Sequence, residues 1–109
     1  MNMKKVLFVC SKNKLRSKTA ETIFANQPGM EVSSAGLDND AINKLTPELV
    51  EWAEIIFVME NNHKNKLQKK FKYYLNKQRI ICLNIKDEYN YMDPELIKIF
   101  KYMIPRLLS

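Results

Sequence analysis

A cysteine, an arginine and a serine stand close together near the beginning of the chain, as Cys10, Arg16 and Ser17. The apolar run over residues 6–10 is typical of a β-strand, and residues 17–26 read as a helix. Backbone N–H groups at a helix N-terminus bind anions, and they favour a cysteine thiolate for the same reason. Arg16 adds a planar, permanently charged guanidinium group, whose N–H donors can bind two phosphate oxygens at once. The spacing therefore predicts a nucleophile and an anion site on one loop.

Hydrophobic patterning predicts a single domain over residues 1–109 in which strands and helices alternate. Residues 55–59 form an unbroken apolar run, as in a parallel strand that is covered on both faces. Further strands are predicted at residues 6–10, 30–34 and 79–83, with helices at 17–26, from Thr46-Pro47, at 61–74, and after Asp93-Pro94. This order indicates a small doubly wound α/β fold, a four-stranded parallel sheet flanked by helices. Ligands in such folds bind beyond the carboxyl ends of the strands, where Cys10 and Asp93 both fall.

Composition narrows the class of protein without choosing a function. The formal net charge of +6 favours anionic partners, such as phosphorylated substrates, acidic protein surfaces or nucleic acid. With only Cys10 and Cys82, the sequence has neither a disulfide framework nor the ligand spacing of a zinc site. It also has no secretory signal pattern and no apolar stretch long enough to span a membrane. A cytoplasmic location is therefore expected.

Several motifs in order along the chain resemble those of the low-molecular-weight protein tyrosine phosphatases. The match begins with the Cys-x5-Arg-Ser motif directly after the first strand and includes an asparagine inside the loop. It continues through nearly the whole chain. The matching segments are Cys10 to Ser17 with Asn13, Thr19-Ala20-Glu21, Ser33-Ser34-Ala35-Gly36, residues 53–59, and Asp93-Pro94.

The resemblance implies a phosphomonoester hydrolase that works through a cysteinyl-phosphate and needs no metal or cofactor. Cys10 would attack phosphorus, Arg16 would hold the phosphate oxygens, and Ser17 would ease the departure of the sulfur. Asn13 would brace the loop, and Asp93 would act as general acid and then as general base. A phosphorylated substrate is the implied partner, with a phosphate or sulfate ion expected in the loop. The phosphate-binding residues would be Ser11, Lys12, Asn13, Lys14, Leu15, Arg16 and Ser17.

The sequence departs from this family at three positions of the site. Lys12 stands where the family usually has glycine, Leu15 where a second cysteine is frequent, and Glu95 where a tyrosine often follows the Asp-Pro pair. The chain is also shorter than the familiar enzymes, which indicates a compact, divergent branch. These departures concern substrate specificity more than the phosphate site.

Three other functions remain open at this stage. An arsenate reductase would use the same loop, but its chemistry needs further cysteines, and Cys82 is predicted to be a buried core thiol. A non-catalytic phosphate-binding module would keep the loop without efficient turnover. The lysine-rich segment over residues 64–79 also contains aromatic residues, as in some nucleic-acid binders, although its lysines read as a solvated helix face. His63, the only histidine, is predicted to be a surface side chain without a role.

Overall fold

The computed structural model describes residues 3–108 and has four parallel strands in one sheet. The strands lie in the order β2-β1-β3-β4, so that β1 and β3 are central. Their bounds are β1 Lys4–Cys10, β2 Met30–Gly36, β3 Ile55–Val58 and β4 Arg79–Cys82. The predicted doubly wound parallel sheet is therefore confirmed. Strand β2 runs two residues beyond its predicted end, because Ala35 and Gly36 stay paired with Val9 and Cys10 of β1.

Helices follow the strands as the sequence pattern predicts, with small differences at their ends. The helices are α1 Arg16–Phe24, α2 Pro47–Trp52, α3 Asn61–Lys70 and α4 Pro94–Leu108. Helix α2 begins as expected, with the Thr46 hydroxyl accepting a hydrogen bond from the Leu49 N–H group. Helix α3 is shorter than the predicted span over residues 61–74. It ends before the buried Phe71, and a short 3-10 helix over Lys72–Tyr74 leads the chain towards β4.

The sheet has an apolar layer on each face, as a doubly wound fold requires. On one face, α1 and α4 cover side chains of β1 and β3 around Phe8, whose ring lies 5.5 Å from Phe57 and 6.1 Å from Phe100. On the other face, α2 and α3 cover Leu7, Val9 and the alternate residues of β3. None of the helices described within residues 3–108 is both long and apolar enough to cross a membrane.

The strand register brings the carboxyl ends of all four strands to one edge. Cys10 pairs with Gly36, and Val58 pairs with Val9 on one side and Cys82 on the other. The end of β2 has no room for a side chain, because a Cβ on Gly36 would lie 2.5 Å from the Ser11 carbonyl oxygen. The loop after β1 is thus packed tightly against this edge of the sheet.

Candidate active site

The loop between β1 and α1 folds around the sulfur of Cys10. Asn13 takes a left-handed conformation with φ of 55°, which asparagine tolerates better than most residues, and this turns its backbone N–H onto the sulfur at 3.2 Å. The Ser17 hydroxyl lies 2.9 Å from the same sulfur and 2.9 Å from Oδ1 of Asn13. Cys10, Asn13 and Ser17 therefore form one buried cluster, as the sequence predicts.

Several of the remaining loop amides are available to a ligand. Within residues 3–108, the N–H groups of Lys12, Lys14 and Leu15 have no protein acceptor. Leu15 is also the N-cap of α1, and its side chain makes no capping bond. The positive end of the helix dipole therefore faces the loop. Several N–H groups that converge beside a helix N-terminus can hold the oxygens of a phosphate.

Arg16 has its guanidinium almost fully buried, with 4% of the residue exposed. Its Nη1 donates to Oε2 of Glu60 at 2.6 Å and to the carbonyl oxygen of Ile85 at 2.7 Å. Its Nε lies 3.7 Å from Oδ1 of Asp87. Since both hydrogen bonds use Nη1, the edge made by Nε and Nη2 can bind a ligand. The Arg16 guanidinium beside Glu60 lowers the pKa of that carboxyl, so the pair is ionised at neutral pH.

His63 is buried beneath the loop, with 1% exposed, so the prediction of a surface side chain is wrong. The Glu60 N–H group donates to Nδ1 of His63 at 3.2 Å, which leaves the proton on Nε2. Nε2 lies 3.0 Å from the Ser11 hydroxyl and can donate to it. Burial, together with the charge of Arg16, lowers the pKa of His63 and keeps the ring neutral. The start of α3 thus holds the first loop residue after Cys10.

Lys12 and Lys14, the two lysines of the loop, have different surroundings. Nζ of Lys12 lies 2.8 Å from both carboxylate oxygens of Asp40 and 3.4 Å from Asp38. The hydrogen bond to Asp40 raises the pKa of Lys12. The ammonium group of this lysine is therefore paired with carboxylates of the segment after β2. Lys14 is exposed and lines the cavity mouth.

A cavity of about 80 Å³ opens above the Cys10 sulfur, and its only carboxylate among the described residues belongs to Asp87. Its lining residues are Cys10, Ser11, Lys12, Lys14, Leu15, Arg16 and Asp87. The structure therefore brings together the predicted loop residues, with Asn13 and Ser17 buried behind them.

Asp93, the general acid expected from the sequence, is not among the residues that line this cavity. Its carboxylate accepts a hydrogen bond from the Glu95 N–H at 2.9 Å, and Pro94 begins α4. The neighbouring Met92 N–H donates to the Thr19 hydroxyl on α1, which holds this end of the loop beside that helix. The Asp-Pro pair thus serves as a helix start. Asp87, which lines the cavity, was not among the candidates from the sequence, because no proline follows it. Only its place soon after the end of β4 could have pointed to it.

Cys82 is half-buried on the opposite face of the sheet from Cys10. Its side chain packs with the core layer under α2 and α3, whereas Cys10 belongs to the layer under α1 and α4. Both cysteines are free thiols. The strand backbones therefore separate Cys82 from the nucleophile candidate.

Comparisons with known proteins support the resemblance inferred from the sequence. A model of the family described as "Low molecular weight phosphotyrosine protein phosphatase" matches residues 5–55, which include β1, the Cys10 loop and β2. No curated protein sequence matches the chain. The resemblance to this family is confirmed by the matched segment and by the fold of its solved structures.

Solved phosphatase structures superpose on nearly the whole chain. The arginine phosphatase YwlE from Geobacillus stearothermophilus is 21% identical with a TM-score of 0.76, and the match covers 96% of this chain and 93% of that one. A low-molecular-weight protein tyrosine phosphatase from Streptococcus pyogenes is 17% identical with a TM-score of 0.78, covering 98% and 95%. Vibrio vulnificus Wzb, solved with benzylphosphonate, is 21% identical with a TM-score of 0.69, covering 92% and 91%. At these identities the likeness establishes the fold.

The buried His63 generates a prediction about stability and pH. Because burial lowers the pKa of His63 from its usual value of 6.5, the unfolded chain takes up the proton first, and stability falls as the pH drops below that value. One proton can account for up to about 1.4 kcal/mol per pH unit. We expect the free energy of unfolding to fall more in wild type than in His63→Gln between about pH 7.5 and pH 5.5. Denaturant titrations at both pH values test this, and equal losses would contradict it.

Proposed function

We propose that this chain is a phosphomonoester hydrolase of the low-molecular-weight tyrosine phosphatase kind, which forms a cysteinyl-phosphate on Cys10. The observation that supports the proposal is the arrangement of groups around the Cys10 sulfur. Several loop N–H groups have no protein acceptor among the described residues, one edge of the Arg16 guanidinium is open, and the Asp87 carboxylate lines the same cavity. A phosphate group carries negative charge and several acceptor oxygens, which match the positive charge and the N–H donors of this site.

The first requirement is a thiolate at Cys10. The Asn13 N–H, the Ser17 hydroxyl and the N-terminus of α1 all offer positive charge to the sulfur. The Asn13 side chain can assist, because its Nδ2 is buried and has no partner within residues 3–108. If the amide rotates, Nδ2 donates to Ser17 Oγ, which frees the Ser17 proton for the sulfur. The cluster can therefore rearrange from a thiol to a thiolate without losing its hydrogen bonds around Ser17.

In the first chemical step, the thiolate attacks phosphorus and the ester oxygen leaves on the opposite side. Charge on the equatorial oxygens is held by the loop N–H groups and by Nε and Nη2 of Arg16. Glu60 and Ile85 fix the guanidinium from behind, so that it is already oriented when substrate arrives. The fixed positive field supplies the stabilisation that other phosphatases obtain from metal ions.

Asp87 is the residue we propose as general acid in place of Asp93. Its exposed carboxylate lines the same cavity as the Cys10 sulfur, which a general acid for the leaving oxygen must do. Its carboxylate lies 3.7 Å from Nε of Arg16, and a bound phosphate dianion would compete with it for that donor. Asp87 would then protonate the leaving alcohol or phenol. In the second step it would accept a proton from the water that attacks phosphorus, while Ser17 and Asn13 stabilise the departing thiolate.

The substrate class we propose is a phosphorylated protein side chain, with phosphotyrosine as the working example. The relatives of the same fold include proteins named as arginine and as tyrosine phosphatases. The cavity of about 80 Å³ accommodates little more than the phosphate, so the rest of the substrate must lie across the surface. A cytoplasmic site of action fits the two free thiols.

The arsenate reductase alternative gains no support from the position of the second cysteine. Such an enzyme must pass oxidation from Cys10 to another thiol, which requires close approach of the two sulfur atoms. Cys82 lies on the other face of the sheet, and its thiol donates to Asn84 Oδ1 at 3.4 Å.

The central role of Cys10 can be tested with a pair of cysteine variants. We expect wild type to hydrolyse para-nitrophenyl phosphate and Cys10→Ala to show no turnover above background, since Cys10 carries the only thiol among the described residues that line the cavity. Cys82→Ala is the matched control and should retain turnover. Undiminished turnover in Cys10→Ala would exclude the mechanism, and absence of turnover in wild type with phosphate still bound would favour a non-catalytic module.

The choice between the two aspartates can be tested through the leaving group. We expect Asp87→Asn to slow hydrolysis of phenyl phosphate by about 10²–10⁴-fold, the usual contribution of a general acid. The loss should be much smaller with para-nitrophenyl phosphate, whose leaving group needs little protonation. Asp93→Asn should leave both rates within about twofold, because asparagine caps a helix as well as aspartate does. Steady-state kinetics decide, and the same leaving-group pattern in Asp93→Asn would return the acid role to Asp93.

A further inference from the structure

A groove of about 640 Å³ runs beside the catalytic loop, between the segment after β2 and the helix α3. One wall consists of the segment over residues 37–40, and the other carries three lysines from successive turns of α3. The lining residues are Leu37, Asp38, Asn39, Asp40, Lys66, Lys69 and Lys70. Nothing in the proposed chemistry uses this groove.

Both walls of the groove are fixed to the catalytic loop. The Asp38 N–H donates to the Ser11 carbonyl oxygen at 2.9 Å, and the Ile42 N–H donates to that of Lys12 at 3.0 Å. On the other side, His63 near the start of α3 contacts the Ser11 hydroxyl. Lys12 lines the catalytic cavity, and its Nζ pairs with Asp38 and Asp40 of the groove wall. The Lys12 side chain thus connects the lining of the catalytic cavity with a wall of the groove.

The two walls of the groove differ in whether their charged side chains are paired. Asp38 and Asp40 are both engaged by Lys12. The ammonium groups of Lys66, Lys69 and Lys70 have no carboxylate partner within residues 3–108, although Lys70 lies over the Phe71 ring. The groove therefore presents unbalanced positive charge to any ligand that extends from the catalytic cavity.

We propose that this groove binds an acidic stretch of the phosphorylated protein substrate, next to the phosphorylated residue. The inference rests on the proposed function, because a phosphate group bound in the Cys10 loop would fix the position of the phosphorylated residue of the substrate. The neighbouring residues of the substrate would extend from that point. An extended chain advances about 3.3–3.6 Å per residue, so a side chain two or three positions away lies about 7–10 Å from the phosphorylated one. Glutamate or aspartate at those positions can pass over Lys12 and meet the lysines of α3.

A protein segment fits the groove better than a nucleic-acid strand does. No aromatic side chain lines the groove among the described residues, so nucleobases would have nothing to stack on. The carboxylates of Asp38 and Asp40 would also face a continuous phosphate backbone, whereas a peptide can present its amides to them and its acidic side chains to the lysines.

The test compares two phosphotyrosine peptides that differ only in whether the flanking residues are glutamate or glutamine. We expect wild type to prefer the acidic peptide by about five- to tenfold in kcat/KM at low salt, mainly through KM, since each exposed charge pair contributes a small factor. The preference should shrink as ionic strength rises. The triple variant Lys66→Gln, Lys69→Gln, Lys70→Gln should turn over the two peptides about equally.

A matched control removes the same charge elsewhere. Lys4→Gln, Lys98→Gln, Lys101→Gln carries its changes on α4 and at the far end of β1, and it should keep the preference for the acidic peptide. Loss of preference in this control, or its retention in the α3 triple variant, would overturn the proposal. Stronger inhibition by a single-stranded oligonucleotide than by the unphosphorylated acidic peptide would also overturn it.

The proposed function fails separately from the groove. Absence of para-nitrophenyl phosphate hydrolysis by wild type would refute the phosphatase proposal on which the groove assignment depends. If wild type hydrolyses that compound but shows no preference between the peptides, only the groove assignment is refuted. If it hydrolyses that compound but neither peptide, both the phosphotyrosine substrate class and the groove assignment are refuted, whereas the cysteinyl-phosphate chemistry stands.

Discussion

The buried guanidinium of Arg16 holds together the loops that follow three of the four strands. It belongs to the end of the loop after β1, and its Nη1 binds Glu60 after β3 and the carbonyl oxygen of Ile85 after β4. A charge with 4% exposure is stable only where it is paired and hydrogen-bonded, so these loops must come together for the chain to fold. The same constraint leaves one edge of the guanidinium facing the Cys10 cavity. Arg16 thus connects the packing of these loops to the proposed anion binding.

Much of the fold follows from local patterns in the sequence. The unbroken apolar run over residues 55–59 predicts a strand that is covered on both faces of the sheet. Thr46-Pro47 predicts a helix start, because threonine is favourable at the N-cap and proline at the first helical position. The Cys10 loop was likewise predictable, because Asn13 and Ser17 act on the sulfur through contacts between near neighbours in the chain. Element ends were harder to place. Helix α3 stops where Phe71 enters the core, and only tertiary packing determines that position.

The residues that sequence reasoning missed act across long separations in the chain. His63 meets Ser11 only because β1 and β3 are adjacent and end at the same edge, a pairing order that periodicity does not reveal. Asp87 reaches the cavity from the loop after β4, while the more recognisable Asp93-Pro94 pair begins a helix. Aspartate before proline is favourable for helix capping as well as for catalysis, so the dipeptide alone does not assign its role. The structure places the Asp93 carboxylate at the first turn of α4, and Asp93 is not among the residues that line the cavity.

The measurement that tests the central claim most directly is detection of phosphate bound covalently to Cys10. Asp87→Asn should accumulate this intermediate, since the residue proposed to activate water is removed while attack on para-nitrophenyl phosphate proceeds. After rapid acid quenching and digestion, mass spectrometry should find one phosphoryl group on the peptide that contains Cys10, and none in Cys10→Ala. Turnover by wild type with no phosphoryl group on Cys10 in either wild type or Asp87→Asn would contradict the account.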